Sequence, residues 1–167
     1  MLLTVFLAIV FCAAMAMMLI AAVAFIQDNK FFSTAPKEAR EVLVQREKEL
    51  FYGARAIGWT LFILSILMSL GVIVIAVWDG FRSGFTFRQF FLRFLLILTI
   101  YKLCDMILID GFLLLKFKFF QHYYPEAEHV MEGRKYGFNI KSQLLKLFVI
   151  FPAVSALAAW VLTALRS

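Results

Sequence analysis

The segment from Arg93 to Lys116 is long and apolar enough to cross a bilayer, yet it contains Lys102, Asp105 and Asp110. A charged side chain at the centre of a membrane helix costs about 2.5–3.5 kcal/mol on insertion scales. A chain that keeps such groups in one span must pair them with other polar groups, hydrate them or use them in its function. The segment therefore predicts a membrane protein with a polar site inside the membrane.

Long apolar runs extend along the rest of the chain. Of 167 residues, 63% are apolar, and the mean hydropathy is +0.88. An uninterrupted apolar run of about 18 residues or more is typical of a transmembrane helix. We therefore predict one all-α integral membrane domain over residues 1–167, a four-transmembrane-helix bundle. Its spans are expected at about residues 2–26, 57–78, 91–115 and 143–165.

The polar segment between the first two spans mixes charges with apolar residues. Its sequence KEAREVLVQREKELFYGARA covers residues 37–56. This pattern predicts an interfacial amphipathic helix in the first cytoplasmic loop. A solvated helix with ion pairs between neighbouring turns is the alternative.

Basic residues are concentrated in two large loops, and the chain has a net charge of +6. We therefore predict a multi-pass protein of the cell (cytoplasmic) membrane. By the positive-inside rule, its two large loops are cytoplasmic and both termini lie on the outer side of the membrane. Basic loops at the membrane surface face anionic lipid headgroups, and this explains the net positive charge. Membrane lipids are therefore expected partners, and nucleic acid is not. The loop residues are Lys30, Lys37, Arg40, Arg46, Lys48 and Arg55, then Lys116, Lys118, Arg134, Lys135 and Lys141.

Small residues predict how the helices pack. The first and fourth spans are both rich in alanine, so we expect them to pack tightly together. In the short turn after the second span, Asp79 and Arg82 are expected to form a local ion pair. Cys12 and Cys104 lie in apolar spans without a CxxC motif, and they are read as small buried side chains. They would approach each other only if the first and third helices touch.

The third span carries the first candidate site. On a helix, Lys102 and Asp105 are three residues apart and face each other, with Tyr101 one turn from Asp105. Asp105 and Asp110 are the candidate catalytic, proton-handling groups, and Tyr101 and Lys102 are candidate ligand-binding residues. The alternative is structural: Lys102 pairs with Asp105, and Asp110 bonds to another helix.

The second candidate site lies in the last loop. His122, Glu126 and His129 have the spacing that would align them on one helix, but Pro125 disfavours helix at Tyr124. We therefore assign no metal ligand and expect an interfacial loop with two titratable histidines. Since this loop is predicted on the same side as Asp110, His122 is a further candidate catalytic residue. Glu126 and His129 are candidate ligand-binding residues at the rim.

These features favour a polar intramembrane pocket that binds or processes a lipid-like or amphiphilic small molecule. Two other hypotheses remain open. The same residues could line a transporter or ion-conducting homo-oligomer, or the chain could be a non-catalytic accessory subunit of a larger membrane complex. The sequence contains no P-loop, Rossmann glycine pattern, GxSxG or HExxH, and the identity of any cofactor is unknown from it.

Overall fold

The computed structural model describes residues 1–32, 41–44, 46, 48–131 and 140–165, and all regular structure among them is helical. Several helices continue without a break as π-helical segments, which are wider than an α-helix. The α-helices are α1 (Leu2–Ile20), α2 (Ala54–Arg82), α3 (Phe87–Cys104), α4 (Phe119–Tyr123), α5 (Glu128–Met131), α6 (Ile140–Leu145) and α7 (Phe151–Ala164). The π-helical segments are Ala21–Ile26 after α1, Asp105–Lys116 after α3 and Lys146–Ile150 between α6 and α7, and 3-10 turns cover Asn29–Phe32 and Pro125–Ala127.

Three helices are long and apolar enough to cross a membrane. They are Leu2–Ile26, Ala54–Arg82 and Ser142–Ala164, with mean hydropathies of 2.8, 2.8 and 2.2. They support the prediction of an all-helical membrane protein and correspond to the predicted first, second and fourth spans. The predicted third span is also helical, from Phe87 through Lys116, but its charged residues set it apart from these three.

The turn between α2 and α3 follows from local chemistry. Gly84 adopts a left-handed conformation with φ of 68°, which glycine allows without steric cost. Thr86 then precedes α3, and its backbone N–H donates to the Gln89 Oε1 at 2.8 Å. This contact satisfies one backbone donor that a helix start leaves without an intrahelical partner. The turn therefore reverses the chain and starts α3 beside the end of α2.

The helices pack in the order α2, α1, α3, α7, as judged by their main contacts. Leu7 and Ala8 of α1 meet Val72 and Ala76 of α2 and Ile97 of α3 in one buried cluster. The predicted tight packing of the first and fourth spans is wrong, because the C-terminal helix packs against α3 instead. The small side chains of α1 admit α2 and α3, and this leaves α7 to bind the other side of α3.

Gly58 of α2 allows a close approach to the end of the first span. A Cβ added there would lie 2.8 Å from both the Phe25 Cβ and the Ile26 Cγ1. Atoms next to the backbone cannot move far, so we expect Gly58→Ala to cost about 1–3 kcal/mol of folding free energy through overpacking. Gly71 of the same helix is the matched control, because an added Cβ there meets nothing within 4 Å.

Thermal unfolding of both variants in detergent micelles tests this close approach. We expect a lower midpoint for Gly58→Ala and an unchanged or slightly higher one for Gly71→Ala, since alanine favours a helix over glycine. Equal midpoints for the two variants would contradict the packing of α2 on Phe25 and Ile26.

The predicted amphipathic helix in the first loop is not confirmed. Residues 41–42 are helical, whereas the described residues from Leu43 to Gly53 are irregular. Residues 37–40, 45 and 47 lie outside the described part of the chain. The physical reason is tertiary: Leu43 is buried against Val23, Phe120 and Tyr124, so this stretch follows the last loop rather than its own helical pattern.

Candidate functional site

The predicted pairing of Lys102 with Asp105 is present in the third helix. The Lys102 Nζ lies 2.5 Å from the Asp105 Oδ2. Lys102 is 5% exposed, whereas the Asp105 side chain keeps 20% of its surface open. The ammonium is therefore enclosed by protein, and the carboxylate is the accessible member of the pair.

Two thiols and an aromatic pair lie near Asp105, on the side of α3 that faces α1. The Cys12 thiol hydrogen-bonds to that of Cys104, and the Asp105 carboxylate is close enough to act on it electrostatically. One helical turn away, the Phe11 and Tyr101 rings meet edge to face with centroids 5.2 Å apart. The site therefore lies at the interface of α1 and α3, not on the third helix alone.

Sequence reasoning missed the thiols as part of this site. A partial signal exists, since Tyr101, Cys104 and Asp105 share one face of a helix by their spacing. No pattern in the sequence, however, shows that Cys12 comes from α1 to meet them. That contact depends on α1 packing against α3.

Asp110 occupies the π-helical continuation of α3, toward the last loop. Its side chain lies outside what the structure describes. Its assigned roles as a proton-handling group and headgroup ligand therefore stay predictions.

His122, Glu126 and His129 do not share one continuous helix. α4 ends at Tyr123, Tyr124 leaves helical geometry with φ of −131°, and Pro125 begins a 3-10 turn. The predicted break at Tyr124 is confirmed, and both histidines are exposed. Within the described ranges, no group of three or more His, Cys, Asp or Glu side chains is placed to hold a metal ion.

Glu126 joins the last loop to the first. Its Oε2 lies 2.8 Å from the Arg46 Nη2, and its Oε1 accepts the Val44 N–H at 3.2 Å. Arg46 also donates to the Tyr123 carbonyl at 3.3 Å. The carboxylate is thus engaged by the first loop, an arrangement that the sequence did not suggest.

An apolar cluster lies under this contact. Val23, Leu43, Phe120 and Tyr124 are buried together, so the end of the first span and both loops meet at one place. Burial raises the pKa of the Tyr124 hydroxyl well above its usual range. We call these four residues, with Arg46 and Glu126, the loop junction.

The contact between Arg46 and Glu126 in the loop junction predicts a measurable coupling free energy between the two side chains. Arg46 and Glu126 keep 34% and 20% of their side-chain surfaces, so solvent screens the pair in part. We expect Arg46→Gln and Glu126→Gln each to destabilise the protein by about 1 kcal/mol or somewhat more, less than additively in the double variant. Chemical unfolding of the four proteins checks this, and strictly additive losses would contradict the contact.

A second buried ion pair lies at the other end of the helices from the loop junction. The Arg93 Nη2 is 2.7 Å from the Asp79 Oδ2, and its Nη1 donates to the Ala76 carbonyl at 2.9 Å. The predicted pairing of Asp79 with Arg82 is therefore wrong: Arg82 lies over the Trp78 ring instead, 5.4 Å from its centroid. The α2–α3 turn brings Arg93 back beside Asp79, and a local reading of the sequence could not anticipate this.

Compared with protein-family models, with curated proteins and with solved structures, the chain matches none.

Proposed function

We propose that the helix from Phe87 to Lys116 is a fourth membrane span. Arg93, near its start, binds Asp79 at the end of α2, whereas Phe120 and Tyr124, just beyond its end, pack against Val23 at the end of the first span. Its 18 α-helical residues extend about 27 Å at 1.5 Å per residue, and with the 12 π-helical residues that follow the helix exceeds the roughly 30 Å of a hydrocarbon core. Pairing of Lys102 with Asp105 offsets much of the cost of placing charge there.

We also propose that the loop junction is cytoplasmic and that both termini are outside, in the cell membrane. The two loops that meet at the junction carry most of the basic residues outside the spans. Positive loops are retained on the cytoplasmic side during insertion.

Membrane-impermeant maleimide labelling in intact cells tests both statements. In a chain with its two native cysteines replaced by serine, single cysteines at Tyr52, Ser83 and Phe117 report on the two loops and the turn. We expect labelling at position 83 and protection at positions 52 and 117. Equal labelling at 83 and 117 would show that the intervening helix does not cross.

For the function itself, we propose that the polar site at the α1–α3 interface binds an amphiphilic, lipid-like molecule by its polar head. One observation supports this best: the partner that remains open is a carboxylate, held in place by a buried ammonium. A carboxylate has about four lone-pair positions, so Asp105 can accept hydrogen bonds from a hydroxyl or amine head while bound to Lys102. Leu108, 56% exposed and three residues after Asp105 on the same helix, offers an apolar surface for a tail.

Proton handling is the chemistry that this arrangement adds to binding. A carboxylate within reach of a bound headgroup can exchange a proton with it as a general acid or base. Asp110 follows on the same helix and would extend the polar path toward His122.

Native mass spectrometry of the protein purified with its own lipids tests the binding proposal. We expect wild type to retain an amphiphile that Asp105→Asn loses, whereas Glu128→Gln in the exposed last loop keeps it. Because Asp105→Asn removes the partner of Lys102, Lys102→Met/Asp105→Leu serves as a second carboxylate-free variant that retains no buried charge. Retention of the same molecule by both carboxylate-free variants would overturn the proposal.

A non-catalytic accessory subunit is the second candidate, and a specific observation favours it. Lys102, Asp105, Asp79 and Arg93 all have charged partners within the chain, as structural charges do. The same mass spectra distinguish the candidates: co-purification of another membrane protein supports the accessory role. A homo-oligomer would instead support the transport hypothesis.

A further inference from the structure

We propose that Cys12 and Cys104 form a redox-active dithiol, which a lipid-soluble quinone oxidises to a disulfide joining α1 to α3. The two thiols are hydrogen-bonded to each other, and both are free and half-buried. This inference does not depend on amphiphile binding at Asp105, because the oxidant needs only to reach the thiols.

The packing around the thiols holds them together. Phe11 precedes Cys12 on α1 and contacts Tyr101, one turn before Cys104 on α3. One further turn before the thiols on both helices, Leu7 and Ala8 pack with Ile97 in a buried cluster. These two successive contacts fix the register of α1 against α3, so the sulfur atoms meet without any large movement of the backbone.

Depth in the membrane selects the oxidant. Cys12 lies two residues from the centre of Leu2–Ile26, and Cys104 is similarly close to the centre of Phe87–Lys116. At 1.5 Å per residue, both thiols are about 3–4 Å from the middle of their helices. Charged thiols and disulfides of the glutathione type are excluded from that depth by the cost of burying charge. A quinone dissolves there and accepts two electrons.

The reaction balances between the dithiol and one quinone. Both S–H bonds break and one S–S bond forms, and the quinone takes up two electrons and two protons to become a hydroquinone. One thiol sulfur bonds to the quinone ring, the second thiol in contact with it displaces the ring to form the S–S bond, and both thiol protons end on the hydroquinone oxygens. The product is an interhelical disulfide next to the Lys102–Asp105 pair.

Maleimide labelling of denatured protein tests the proposal, because the chain contains only two cysteines. Membranes holding the full-length chain are treated with decylubiquinone or with oxidised glutathione, then denatured and alkylated. We expect two labels per chain without oxidant and also with glutathione disulfide. With the quinone we expect no label, and the unlabelled chain should migrate on a gel as a monomer. A reductant given after the quinone restores both labels.

Three variants act as controls. Cys12→Ser and Cys104→Ser should each keep their one remaining label after quinone treatment. Cys12→Ser/Ile9→Cys should keep both labels, because Ile9 is 58% exposed and a thiol there points away from Cys104. Survival of both labels in quinone-treated wild type would overturn the proposal. So would a cross-linked dimer, or equal oxidation by glutathione disulfide.

Discussion

Asp105→Asn is expected to lower the free energy of unfolding by about 3–5 kcal/mol, the typical loss when one member of a buried ion pair is removed. The reason is the environment of Lys102, which is 5% exposed and would be left buried without its partner. Lys102→Met should cost less than Asp105→Asn. The Asp105 side chain retains 20% of its surface, so solvent screens it in part when its partner is lost.

The double variant Lys102→Met/Asp105→Leu should regain most of the stability that either single change loses. Replacing a buried ion pair by apolar side chains of similar size is often neutral or stabilising by about 1–4 kcal/mol. Unfolding in mixed micelles with increasing SDS measures the free energy of unfolding of all three variants. A double variant that is less stable than both single variants would show that the pair does more than neutralise its own charges.

The Lys118–Glu128 pair is the matched control for this prediction. Its Nζ–Oε1 distance is 2.8 Å, but the two side chains keep 63% and 43% of their surfaces. Lys118 lowers the pKa of the Glu128 carboxyl, so the contact weakens as the pH falls through that lowered pKa. Breaking an exposed pair of this kind typically costs little stability, because solvent screens the two charges. Similar losses for both pairs would mean that burial does not set the energy.

The approximate positions of the four long helices could be predicted from the sequence, because each long apolar run must bury or insert its surface whatever its neighbours are. The i,i+3 pair of Lys102 and Asp105 could be predicted for the same reason, since one helix positions both groups. Neither inference needs knowledge of which helices touch. Both follow from the local period of the chain.

Contacts between segments could not be predicted in this way. The pairing of Asp79 with Arg93, the meeting of Cys12 with Cys104 and the docking of Leu43 on Tyr124 all depend on packing. The first loop illustrates the limit: its alternating composition indicates an amphipathic helix, yet burial of Leu43 and the Arg46–Glu126 contact favour an irregular path. Tertiary contacts here override local propensity.

Arg93→Met is expected to lower the free energy of unfolding by about 3 kcal/mol, the lower end of the typical loss for a broken buried ion pair, because the Asp79 side chain that it leaves keeps 25% of its surface. It also removes the hydrogen bond to the Ala76 carbonyl at 2.9 Å and the stacking over the Phe85 ring, 4.1 Å from its centroid. These contacts hold the start of α3 against the end of α2. Losing them should therefore loosen the turn as well as destabilise the fold.

Arg82→Met is the control at the same end of the helices. Arg82 is exposed and contacts the Trp78 ring, so its removal should cost less than about 1 kcal/mol. Unfolding in mixed micelles gives the energies, and hydrogen exchange of residues 80–90 reports on the turn. We expect faster exchange there in Arg93→Met alone, with exchange at the loop junction unchanged. Equal effects of the two substitutions would mean that net positive charge at this end, rather than the Asp79–Arg93 contact, joins α2 to α3.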